Sequence, residues 1–133
     1  MPHFIIEYSA NLADKVDIGD VLSAVQVAAL KTKVFPLGGL RVRAFRCDDF
    51  LVADGHPDNC YLHMTLRMGH GREPDVKKAA GEAVFAALCD SLADAYDKNA
   101  LAISFTIDEL DPVLNFKKNN LHEVVAARAG SKD

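Results

Sequence analysis

Apolar and polar residues alternate over residues 2–8, placing Phe4, Ile6 and Tyr8 on one side of an extended segment. Period-two alternation among β-branched and aromatic residues predicts a strand with one buried face. After a polar connection the period lengthens, and Ile18, Val21, Leu22, Val25, Ala28 and Ala29 recur at helical spacing. Asp17 stands where an N-cap would accept an orphan amide, and Asp20 puts a negative charge in the first turn, where the helix dipole favours it. Phe35-Pro36-Leu37-Gly38-Gly39 ends that pattern. Residues 40–47 then predict a second strand and residues 49–53 a short third one, before a turn cluster at 54–59.

The same order repeats. Residues 60–68 alternate again, with Leu62, Met64, Leu66 and Met68 on one face. Gly69-His70-Gly71-Arg72 reads as a loop, and Pro74 suits a first helical turn, where its missing N–H leaves nothing unpaired. A helix is predicted from there to about Lys98, burying Val76, Ala79, Ala80, Ala83, Val84, Ala87, Leu88 and Ser91. Residues 101–109 alternate strictly, with Leu101, Ile103, Phe105 and Ile107 opposite Ala102, Ser104 and Thr106. The pattern predicts a single α+β domain over residues 1–133. One βαβ unit spans about 2–53, a second about 60–110, and a C-terminal arm about 111–133. The two units make a four-stranded mixed sheet with two helices on one face. The other face is left uncovered, and a sheet face carrying apolar side chains cannot stay open to water, which predicts oligomerisation with sheets packed inward. Within the arm, 113–120 reads as loop, 121–128 as a terminal helix and 129–133 as disordered.

Composition narrows the class. A net charge of −4 leaves no electrostatic footprint for nucleic acid or an anionic membrane. Cys47, Cys60 and Cys89 are odd in number and form no CxxC pair, which suits free thiols in a reducing compartment. No apolar run approaches the roughly 18 residues of a membrane span, and no signal peptide is visible. The expected location is cytoplasmic.

Candidate chemistry begins at Pro2. The residue is small beside Cα, so removal of Met1 is expected, leaving a secondary amine as the first group of the chain. Model α-amines titrate at about 7.7–8.0. Burial and neighbouring cations both disfavour the charged form and lower that value, and a base poised near neutrality suits proton shuttling. Many Met-Pro starts do nothing, so this feature alone leaves a merely structural reading open. Arg41 follows the Gly38-Gly39 turn, and Arg72 sits in the loop before the second helix. Guanidiniums hold carboxylates bidentately without losing charge, so two near one amine would bind a dianionic acid. The alternative is two solvated surface arginines. Arg43, on the face of Arg41, is a weaker candidate, and Arg46 and Arg67 read as exposed strand positions. His3 could touch a site built around Pro2, although a packed strand histidine explains it as well. No histidine pair has zinc-ligand spacing, and His63 and His70 lie on opposite sides of a strand–loop junction, so no metal is expected. Gly69-His70-Gly71 is not a dinucleotide loop, because Pro74 stands at the place of the third glycine.

Six segments together resemble a known family: Pro-His-Phe-Ile at 2–5, Phe-Pro-Leu-Gly-Gly-Leu-Arg at 35–41, Ala-Asp-Gly at 53–55, His-Met-Thr-Leu at 63–66, Gly-His-Gly-Arg at 69–72 and Asn-Phe-Lys-Lys-Asn-Asn at 115–120. In this order the chain is similar, from Pro2 to about His122, to the tautomerase superfamily and within it to the 5-carboxymethyl-2-hydroxymuconate isomerases. The resemblance implies the tautomerase (MIF-like) two-layer fold and a homotrimer with active sites near subunit boundaries. It implies Pro2 as catalytic base and acid, Arg41 and Arg72 as substrate-binding residues, and no cofactor or metal. The implied substrate is an unsaturated 2-hydroxy or 2-oxo di- or tricarboxylate from aromatic ring fission, as in homoprotocatechuate catabolism. Two rivals stand beside it. One is another reaction of the superfamily, such as keto–enol tautomerisation or a decarboxylation in which Glu7 would be a weak candidate for the extra acid–base group. The other is a non-catalytic oligomeric binding module.

Overall fold

The computed structural model describes residues 1–130. Strand β1 (His3–Ser9) is followed by a 3₁₀ turn, helix α1 (Ile18–Lys31) and strand β2 (Arg41–Cys47). Strand β3 (Cys60–Met68), helices α2 (Pro74–Ser91) and α3 (Ala93–Lys98) and strand β4 (Leu101–Glu109) form the second half. The chain then crosses as an irregular arm to helix α4 (Leu121–Gly130). The sheet order is β2-β1-β3-β4, with β1–β2 and β3–β4 parallel and β1–β3 antiparallel. This is the mixed four-stranded sheet that two βαβ units predict. Asp17 caps α1 as its spacing suggested, its side chain accepting from the Asp20 amide at 3.3 Å.

The core lies between the sheet and the two long helices. Phe4, Ile6, Leu62, Met64, Leu66 and Met68 come from the strands, and Val21, Val25, Ala29, Val84 and Leu88 from the helices. Gly81 lets α2 come close to β4: a Cβ built there would stand 2.8 Å from Ile107 Cδ1. An interior helical glycine costs about 1 kcal/mol against alanine, and close packing is what it permits here.

Several sequence expectations need correction. Residues 49–53 are not a strand. Ala53 (φ 54°) and Gly55 (φ 81°) curl the chain, and the Asn59 side-chain amide donates to the Val52 carbonyl at 3.0 Å, where a neighbouring strand would otherwise donate. The second helix does not run unbroken to Lys98. Leu92, fully buried, leaves helical geometry (φ −108°, ψ 4°), and a new helix starts from it. Val76, Ala79 and Ala83 are exposed, because the buried stripe runs through Ala80, Gly81, Val84 and Leu88. Ala129 and Gly130 are helical; the remaining residues of the expected disordered tail lie outside the described ones.

The open sheet face differs most. The register puts His3, Ile5, Glu7 and Ser9 of β1 there, flanked by Arg41, Arg43, Phe45 and Cys47 of β2. On the other side lie Tyr61, His63, Thr65 and Arg67 of β3, and beyond them Ala102, Ser104, Thr106 and Asp108 of β4. The face is largely polar and internally bonded: Arg43 Nη1 donates to His3 Nδ1 at 2.9 Å, and His63 Nδ1 shares a hydrogen bond with Ser104 Oγ at 2.6 Å. A hydrogen bond to Cys47, with burial, pushes the Tyr61 phenol up to about 12. Phe45 is exposed on this face, and the most exposed large apolar side chains lie elsewhere, on Leu51 (90% exposed) and on Val113, Leu114 and Phe116 (87% exposed) of the arm.

Leu66 sits fully buried on β3, opposite Phe4 of β1. Leu66→Ala should therefore cost about 2–5 kcal/mol of unfolding free energy, from lost burial plus the cavity left behind. Urea denaturation would measure it, and a loss below about 1 kcal/mol would show that this layer is not close-packed.

Candidate active site

The β1–β2 ladder reaches back past the first strand residue, since the Arg41 amide donates to the Pro2 carbonyl at 3.1 Å. Pro2 is thereby fixed, buried, at the start of an interior strand. Beside it the Leu37–Gly39 turn passes closely, and a Cβ built on Gly39 would lie 3.5 Å from Pro2 Cδ and 3.8 Å from His122 Cε1. A cleft of about 630 Å³ opens at this end of the sheet, walled by Pro2, Phe35, Met68, Arg72, Lys117 and His122 among others.

Arg72 is placed by its loop, where Gly71 adopts φ 100° just before α2 begins. Its Nη2 donates to the Val34 carbonyl at 2.9 Å, and its Cζ stands 6.0 Å from the centroid of the Phe35 ring. Phe35 in turn meets Phe4 edge-on, with centroids 5.5 Å apart. One hydrogen bond and one aromatic face hold the guanidinium at the cleft wall, and its remaining donors are available to an anion.

The chain's amino group belongs to Met1, which also lines the cleft. Its pKa is lowered from the usual α-amine value, first by partial burial and then by the charges of Lys117, Arg41 and Arg72. Loss of Met1 would move the amine to Pro2, on the same wall. His3 is also lowered, by burial first and then by Arg43 and Arg41. The Arg43 guanidinium can only donate, so His3 Nδ1 accepts and the ring is neutral with its proton on Nε2.

The other sequence candidates separate. Arg41 does not line the cleft: it shares a row with His3, and its Nη1 turns back to the carbonyls of Gly38 (3.3 Å) and Leu40 (3.5 Å). It acts on the amine through its charge alone within one chain. His3, Glu7, Arg43 and His63 belong to the open face and do not line the cleft. Arg46 pairs with Asp48 in solvent, and Arg67 is exposed. His70 is exposed and lines the cleft rim. Among the described residues no three His, Cys, Asp or Glu side chains gather as a metal site, and no helix is long and apolar enough to cross a membrane.

Lys117, Asn119 and His122 enter the site although the sequence alone assigns them no role: residues 115–120 carry the family resemblance, but no periodicity in that arm ties them to the cleft. Their placement depends on a docking contact. A Cβ on Gly38 would meet His122 Nδ1, Cα and N at 2.6–2.8 Å, so only glycine lets α4 settle there, and Asn119 Nδ2 donates to the Gly38 carbonyl at 3.0 Å.

With this geometry in view, the comparisons with known proteins are decisive. Residues 2–125 match the profile of the 5-carboxymethyl-2-hydroxymuconate isomerase family. The chain belongs to that family. It is 40% identical to the 5-carboxymethyl-2-hydroxymuconate Delta-isomerase of Escherichia coli over 122 residues, covering 92% of this chain and 97% of the relative. Its fold superimposes on the crystal structure of a 5-carboxymethyl-2-hydroxymuconate isomerase from Deinococcus radiodurans R1 with a TM-score of 0.86, at 35% identity and 93% coverage of each chain. A likeness at 20% identity and TM-score 0.56 to macrophage migration inhibitory factor from Trichinella spiralis, covering 88% of this chain and 98% of that one, extends to the fold alone. The match to the isomerase family starts at Pro2, the residue that the ladder fixes in the cleft wall.

Gly38→Ala should displace α4 and the arm while leaving the sheet intact, at a cost of about 1–3 kcal/mol in the docking contact. Tryptic cleavage after Lys117 and Lys118 should then accelerate at unchanged circular dichroism. Unchanged cleavage would mean that the arm does not depend on this contact.

Proposed function

We propose that the chain is a 5-carboxymethyl-2-hydroxymuconate isomerase in which Pro2, freed of Met1, is the general base and acid. The observation that carries this reading is the buried proline at the cleft wall, beside Arg72, at an amino terminus whose protonated form is disfavoured. Family membership supplies the substrate class.

The substrate is a 2-hydroxy-2,4-dienoate. The Pro2 amine takes the 2-hydroxyl proton and leaves a dienolate, whose charge spreads from oxygen onto C3 and C5. Return of the proton to C5 forms the new C–H bond, moves the remaining C=C to C3–C4 and leaves a 2-oxo group. One proton moves and no electrons are exchanged. Arg72 holds a carboxylate and stabilises the dienolate, a role that oriented donors fill at about 10²–10³ in rate. Arg41 lowers the amine's pKa and, where subunits meet, extends the anion site. Phe35 and Met68 keep the wall apolar, which strengthens each charge interaction.

The assembly in this reading is a homotrimer. The exposed apolar side chains of Leu51, Val113, Leu114 and Phe116 are the surface that neighbouring copies would cover. Free thiols on Cys47, Cys60 and Cys89 suit the cytoplasm.

Mature protein and a form retaining Met1 should differ in isomerisation of 5-carboxymethyl-2-hydroxymuconate by about 10² or more, because an internal proline nitrogen is an amide without basicity. Equal rates would eliminate the proline mechanism. Arg72→Ala should lower kcat/KM about tenfold or more, and an unchanged value would remove Arg72 from the site. The base works unprotonated, so kcat/KM should climb as pH rises through the amine's pKa. Burial and cations lower the pKa of the Met1 amino group in this cleft, and a Pro2 amine on the same wall meets the same influences, so the climb should be complete at a lower pH than an exposed terminal proline would give. An acid limb at or above that of a free prolyl peptide would contradict this.

A further inference from the structure

We infer that Lys117 is a specificity-determining residue, binding the additional carboxylate that distinguishes a tricarboxylate dienol from its dicarboxylate analogue. This rests on the isomerase reading above and deepens it.

The substrate carries one carboxylate beside the 2-hydroxyl and two more at the other end, one directly on C5 and one through a methylene. Three anionic groups must be matched when the base is neutral. Among the described residues of one chain, the arginine and lysine side chains on the cleft wall are Arg72 and Lys117. Arg72 already gives one donor to Val34. Lys117 takes part in no hydrogen bond or ion pair among the described residues, so all three ammonium donors are open to a ligand.

A free surface lysine usually swings through many rotamers, and its backbone fixes nothing. Here the backbone is pinned on both sides. At one end Asp111 Oδ1 accepts from the amides of Val113 (2.8 Å) and Leu114 (2.6 Å). At the other, Asn119 donates to Gly38 and accepts from the Leu121 amide at 2.8 Å, and His122 packs on Gly38. Lys117 lies between these anchors, over the cleft. Among the described residues Asp111 is the one carboxylate side chain lining the cleft, and its Oδ1 is committed to that turn. Lys117 lines the same cleft as Pro2, and it is the first of the charges bearing on the Met1 amino group, ahead of both arginines.

Lys117→Met keeps the length of the side chain and removes its charge, and Lys117→Arg restores a cation. Both are to be compared with the wild type on 5-carboxymethyl-2-hydroxymuconate and on 2-hydroxymuconate, which lacks the carboxymethyl arm. The pH should lie above the amine's titration, so that any change in the base drops out. Lys117→Met should lower kcat/KM about tenfold or more on the tricarboxylate, mainly through KM, and less than about threefold on the dicarboxylate. Lys117→Arg should recover most of the loss. Equal losses on both substrates, or none on the tricarboxylate, would overturn the assignment. Should the wild type turn over neither substrate, the isomerase reading fails and calorimetry decides the subsite separately. Propane-1,2,3-tricarboxylate should then bind the wild type more tightly than glutarate does, with Lys117→Met abolishing the preference. A preference that is absent, or that survives the substitution, sinks the subsite as well.

Discussion

The site depends on one constraint: β1 is an interior strand, hydrogen-bonded along both edges. Parallel pairing with β2 and antiparallel pairing with β3 hold His3–Ser9 from two sides. Each ladder bond contributes only about 0.5–1.5 kcal/mol net, but fraying the start of β1 would break several at once and expose Phe4. A chain terminus is ordinarily the least ordered part of a domain. Here the ladder extends to the Pro2 carbonyl, and the terminus has the positional definition of a core residue. That precision is what acid–base chemistry asks of a base, which must sit within hydrogen-bond reach of the proton it takes.

Charge then determines what a fixed amine can do. Desolvation is the largest influence on the Met1 amino group and the cations add in the same direction, so both disfavour the ammonium. In the proposed function the same cations attract the anionic substrate, so that one set of charges serves two ends, and neutralising any of them would change affinity and base strength together. The open sheet face is organised differently. Arg43 holds His3 neutral, and His63 bonds to both Ser104 and Thr65, so that face is occupied with its own polar groups.

Periodicity made most of the fold legible. The period-two runs of β1, β3 and β4 and the stripe of α1 follow from burial on one face, a local pattern that composition carries directly. Failures came where tertiary context overrode the local pattern. The apolar run at 49–53 lacked a partner strand, and Leu92 left helical geometry to reach the core. At the site, Pro2 and Arg72 stood out in the sequence by position and by the family resemblance together, since Met-Pro starts and surface arginines are common on their own, and the structure puts both on the cleft wall. Arg41 was visible as a charge, but its side-chain direction is set by the β1–β2 register and cannot be read from spacing. Lys117 and His122 reach the cleft only because α4 lands on Gly38, a contact 84 residues away in sequence for His122 and invisible to any local window.

Met1, directly ahead of the buried Pro2, lines the cleft, so whatever stands upstream of Pro2 shares that space. In the proposed function, a peptide fused ahead of Pro2 would remove the amine and crowd the substrate's opening at once. Affinity handles for purification therefore belong beyond α4, whose last turns are exposed and bury no side chain.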